Sequence, residues 1–79
     1  MEGNMSIYDV RSQTTGITSN VKRIMEEKKI SIVALSNETK LSTKIIERSR
    51  TSQIKLCKLE TLAIIAKGLN VKIVDLFNE

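Results

Sequence analysis

Seventy-nine residues with thirteen lysines and arginines against nine acidic side chains make one small domain of net charge +4, near the size at which a single hydrophobic core supplies only about 3–5 kcal/mol. A single cysteine, Cys57, and the absence of histidine exclude an intrachain disulfide, a Cys/His zinc site and any histidine-based nucleophile and base pair, so no catalytic residues, metal or cofactor are expected. Aromatic residues, Tyr8 and Phe77, make up 3% of the chain, too little material for stacking on single-stranded bases.

The longest apolar run, residues 62–66, falls far short of the roughly 18 residues that suggest a membrane span, and the N-terminus has neither a basic start nor an apolar signal core. A cytoplasmic protein with no membrane association is expected. Gly3, Gly16 and Gly68 form no phosphate-cradling run, and no small-molecule ligand is evident.

In chain order, residues 1–16 read as an N-terminal arm, flexible or a short helix. Ser6 and Asp9 resemble a capping box, and Met5 and Val10 stand at the positions of a hydrophobic staple, so a helix over residues 7–12 is the ordered alternative. The domain proper covers residues 17–79. Its first helix is predicted over residues 17–28, where Ile17, Val21, Ile24 and Met25 fall on one stripe and Lys22, Arg23, Glu26 and Glu27 face away.

Residues 31–50 organise the chain. Ser31 and Ser42 each stand one residue before a run of helical spacing, as N-caps do. The two runs, over residues 32–38 and 43–50, have the layout of a helix-turn-helix with Leu35, Leu41 and Ile46 as anchors. Residues 51–57 show no regular period and read as a loop. A fourth helix over residues 58–68 presents Leu59, Leu62, Ala63, Ile65, Ala66 and Leu69 as a broad apolar face, and Asn70 supplies the left-handed stop. Ile73, Val74, Leu76 and Phe77 make a closing short helix. Five helices without proline or strand pattern predict an all-α domain.

The charge is concentrated. From Lys40 to Lys58 six cations stand against Glu47 alone, so this segment carries +5 and the remainder −1. A basic stripe confined to the third helix and the loop after it suits a polyanion.

These residues resemble the Xre-type, phage-repressor-like (lambda repressor-like) helix-turn-helix family over residues 17–77. The tail LETLAIIAKGLNVKIVDLF from Leu59 is close to the family's ending, and Ile30, Ser31, Leu35, Leu41, Ser42 and Ile46 match its helix-turn-helix. The resemblance implies a five-helix DNA-binding domain and a sequence-specific, repressor-like regulator acting as a homodimer on double-stranded DNA. A protein-interaction module of the same fold that has lost DNA binding, or the antitoxin of a toxin-antitoxin pair, is the alternative. Against the family pattern, Ile32 replaces the usual Gln, Lys40 a turn Gly and Ser49 a large inward apolar residue, while Arg50 replaces an acidic one.

A helix enters the major groove, about 12 Å wide, with its N-terminal side chains on the base edges. Thr43, Lys44, Glu47 and Arg48 hold those positions, and Arg48 suits a bidentate contact to guanine. Glu47 has two roles open to it, accepting from cytosine or pairing with Lys44 or Arg50, and the pairing ranks higher. Ile45 either touches a thymine methyl or packs inward. Ser31, Lys40, Ser42, Ser52, Gln53 and Lys55 are the expected backbone contacts. Ile64 and Val74 lie off their helices' apolar faces, where the family usually has polar residues, and with Gly68 they are the expected dimer surface. Cys57 is expected as a small apolar residue rather than a redox switch. Ile54 or Leu56 is expected to fold back and fill the space that Ser49 leaves.

Overall fold

The computed structural model describes residues 17–78. Along this stretch run β1 (Thr18–Ser19), α1 (Val21–Lys28), α2 (Ile32–Thr39), α3 (Thr43–Ser49), a 3₁₀ helix (Ser52–Leu56), α4 (Leu59–Leu69), a closing 3₁₀ helix (Ile73–Leu76) and β2 (Phe77–Asn78). The arm and the helix expected over residues 7–12 lie outside the described residues.

Each helix boundary has a local cause. The Ser31 hydroxyl accepts the Ala34 amide at 3.0 Å and the Ser42 hydroxyl the Ile45 amide at 3.2 Å, so α2 and α3 start where their N-caps stand. Lys29, Lys40 and Asn70 end α1, α2 and α4 with φ of 59°, 65° and 60°, in the left-handed region. At the first and last of these the next amide reaches back five residues, Ile30 to Met25 and Val71 to Ala66, both at 2.9 Å, which satisfies carbonyls the helix leaves open.

Val21, Ile24 and Met25 of α1, Leu35 of α2, Ile46 of α3 and Leu62, Ile65, Ala66 and Leu69 of α4 form one core with Ile54 and Leu76 from the two 3₁₀ helices. Gly68 lets α4 approach α2 closely: a Cβ there would stand 2.8 Å from Thr39 Cγ2 and 3.0 Å from Leu35 Cδ1. Leu59 and Ala63, expected on the buried face of α4, are exposed. At 100° per residue the buried arc closes around Leu62, Ile65, Ala66 and Leu69, and these two fall outside it.

Four α-helices rather than five are found among the described residues. The closing segment is a single 3₁₀ helix of four residues, too short for a full α-turn ladder, and Phe77 leaves it for β2. The first helix starts at Val21, not Ile17. Thr18 and Ser19 pair antiparallel with Asn78 and Phe77, so backbone bonds to the far end of the chain outweigh the helical stripe that Ile17 suggests. Residues 52–56, read as a loop, wind into a 3₁₀ helix whose N-cap Thr51 accepts the Gln53 amide at 3.1 Å. Ile54 is fully buried there, while Leu56 stays 53% exposed.

Candidate nucleic-acid interface

The turn between α2 and α3 is built by short-range bonds. Ser36 Oγ donates to the Leu41 carbonyl at 2.6 Å, Thr39 Oγ1 donates to the Leu35 carbonyl at 2.7 Å and accepts the Leu41 amide at 3.3 Å, and the Lys40 amide donates to the Ser36 carbonyl at 2.9 Å. Leu41 is thereby held half-buried against the core, and α3 leaves the turn with Ile46 inward. Thr43, Lys44, Glu47 and Arg48 are all exposed as a result. Ile45 is half-buried at the edge of this face.

Lys44, Glu47 and Arg48 of α3 and Ser52 and Gln53 of the 3₁₀ helix line one shallow cleft, together with Thr51. The structure thus brings three of the four expected base-reading residues against two of the expected backbone contacts. Thr43, Ser31, Lys40, Ser42 and Lys55 do not line it; the first four sit at the N-terminal end of α3 and along α2 and its turn, and Lys55 is half-buried beyond Gln53. Thr51 was missed by residue type alone. Its signal is positional: a hydroxyl just after a helix and just before Ser-Gln, where it caps the next turn and donates to the Arg48 carbonyl at 2.9 Å.

Glu47 forms no ion pair with Lys44 or Arg50. Among the described residues Arg23 and Glu27 make the ion pair, at 2.9 Å. At an exposed position the Coulomb gain of such a pair is about as small as the side-chain freedom it costs. Glu47 also borders a second hollow with Lys22, Arg50 and Thr51.

A third hollow lies behind Arg48, lined by Ile45, Leu56, Cys57, Lys58 and Thr61. Burial pushes the Cys57 thiol up from its ordinary value, and the nearby Arg48 guanidinium offsets this only in part. Thiolate chemistry is disfavoured accordingly. Of the expected dimer residues, Ile64 and Gly68 share a groove with Glu38, Thr39 and Lys67, and Val74 stands on the closing 3₁₀ helix, 71% exposed. The open side of Gly68 is taken up by α2 of its own chain.

A comparison with protein-family models matches residues 20–78 to the Cro/C1-type HTH DNA-binding domain. The chain belongs to this family. The match spans α1 to β2, and it agrees with the phage-repressor-like resemblance carried by the helix-turn-helix and the tail. Cro/C1-type HTH domains are DNA-binding and act in transcription regulation, and the family is typically non-enzymatic. No curated protein and no solved structure matches the chain. Among the described residues no helix is long and apolar enough to cross a membrane.

Proposed function

We propose that this Cro/C1-type protein recognises a specific double-stranded DNA sequence as a homodimer, with α3 in the major groove, and acts as a repressor-like regulator. The cleft on α3 carries the proposal: Lys44 and Arg48 stand one turn apart on its exposed face, beside the polar start of the 3₁₀ helix. Arg48 reads a guanine through two parallel hydrogen bonds, with Thr43, Lys44 and Glu47 on neighbouring base edges. Among the described residues no cation pairs with Glu47, and its carboxylate accepts from a cytosine amino group.

Ser31, Lys40, Ser42, Ser52, Gln53 and Lys55 hold phosphates and set the register without reading sequence. The amides at the start of α2, behind Ser31, offer an anion the positive end of that helix. Ile32 does not serve this contact in the way a Gln at its position would. It is half-buried against the core, so the burden passes to Lys40 and the Ser42 hydroxyl.

Ile64, 38% exposed, and Val74 supply the apolar part of the dimer surface. Gly68 contributes by seating α4 on α2 next to Ile64. A dimer built there places two α3 helices about one DNA turn, 34 Å, apart. Selection from a random duplex library is the test: two inverted half-sites one helical turn apart are expected, and no enriched sequence would contradict the proposal. Sedimentation of Val74→Asp and Ile64→Lys checks the surface, with monomers expected from both; dimeric variants, or a monomeric parent at tens of micromolar, would remove it.

A further inference from the structure

An α-helix ends in four carbonyls that no amide of its own can reach. In α3, two turns long, they belong to Ile46, Glu47, Arg48 and Ser49. Three are satisfied at once by neighbours. The Ser49 hydroxyl donates to Ile46 at 2.6 Å, the Arg50 amide to Glu47 at 3.1 Å, and both the amide and the hydroxyl of Thr51 to Arg48, at 3.2 and 2.9 Å. The fourth carbonyl, that of the fully buried Ser49, is bonded from 30 residues away by the Ser19 hydroxyl of β1. That hydroxyl spends its single proton on Ser49 and accepts the Val21 amide at 3.1 Å.

Ser19 is itself anchored at the far end of the chain. It pairs with Phe77 across the two-stranded sheet. Next to it, the Asn20 amide donates to the Leu76 carbonyl at 2.9 Å, and the Asn20 side chain donates to the carbonyls of Asp75 and Phe77 at 3.2 and 3.0 Å. The last turn of α3, which carries Arg48, is therefore bonded through one hydroxyl to an element none of whose residues lines the cleft.

We propose that Ser19 is a positioning residue for the recognition helix: its bond to the Ser49 carbonyl fixes the turn from which Arg48 reads its base pair. The proposal rests on the DNA-binding reading of α3 given above. Without the hydroxyl, a buried carbonyl is left unpaired and the last turn must fray or shift to reach water. Arg48 then loses its fixed approach. Contacts at the other end of α3, from Ser42 and Lys40, depend on local bonds and persist.

The test compares the parent with Ser19→Ala and Ser19→Thr on the duplex selected by the parent, on single-base variants of it, and on an unrelated duplex. Circular dichroism sets a temperature at which all are folded. Ser19→Ala is expected to lose about three- to tenfold in affinity for the selected duplex, the scale of one hydrogen bond. Discrimination should fall at the base pair that Arg48→Ala identifies, with the unrelated duplex bound as by the parent. Ser19→Thr, which keeps the hydroxyl, should recover both. An equal loss on every duplex, or undiminished discrimination in folded Ser19→Ala, overturns the proposal. Should Ser19→Ala fail to fold, Ser19→Cys keeps the side-chain volume with a weaker donor, and the same two outcomes apply to it. A parent that binds no duplex overturns the DNA reading of α3 as well, and is distinguished by that result.

Discussion

The helix-turn-helix is held by bonds between near neighbours, whereas the strand pair that closes the domain is held across almost its whole length. From Ser31 to Ile45, the side-chain bonds that shape α2, its turn and the start of α3 span no more than five residues. Thr18 and Asn20 bond partners 55 to 60 residues away. The first region takes its shape from its own sequence; the second takes it from the fold. α3 belongs to both, capped locally at Ser42 and clasped remotely at Ser49. Its exposed face therefore depends on the local region for its start and on the closing region for its end.

The largest effect should come from the side chain that joins the two. Ile54 is fully buried, as is Ser49 at the end of α3, and Ile54→Ala should cost about 2–5 kcal/mol in urea unfolding, as large-to-small core changes do. A loss below about 1 kcal/mol would mean that the space beside Ser49 is filled by something else. Next come the proposed DNA contacts. Arg48→Ala should cost about 1–3 kcal/mol on the selected duplex and relax preference at one base pair, while Lys55→Ala should weaken all duplexes alike. Equal losses from Arg48→Ala on every duplex would move Arg48 among the phosphate contacts.

What was legible in the sequence follows the same division. Ser31, Ser42 and Asn70 act within a few residues of themselves, so their roles at helix ends follow from position alone. Lys40 likewise occupies the left-handed turn that a glycine usually takes. The start of α1 was not legible, because Ile17 continues the stripe of Val21, Ile24 and Met25, and only the pairing of Thr18 and Ser19 with the chain's end shows that the helix begins later. The fifth helix shrank for a related reason: the amide of Asn20 takes the Leu76 carbonyl, and Phe77 pairs as a strand. The shared face of Lys44 and Arg48 follows from their spacing. The contacts of Thr51 and Ser19 do not, since a hydroxyl declares its partner only in three dimensions.

Smaller changes sharpen the local side of the contrast. Ser42→Ala removes the cap of α3 and should destabilise the domain by about 1 kcal/mol, read from denaturant midpoints. Lys40→Gly should act in opposite directions on two measurements. Relief of the left-handed backbone at φ 65° should stabilise the fold by up to about 1 kcal/mol, while loss of the charge should weaken DNA binding modestly. Lower stability of Lys40→Gly would show that the lysine side chain supports the turn.

The central claim, that the +5 segment from Lys40 to Lys58 is a DNA-backbone and base-reading surface, is tested most directly by a salt titration of binding to the selected duplex. With six or more phosphates neutralised, affinity should fall by about a thousandfold or more between about 50 and 200 mM salt. An affinity that stays flat across that range would contradict the claim and leave the protein an interaction module of the same fold.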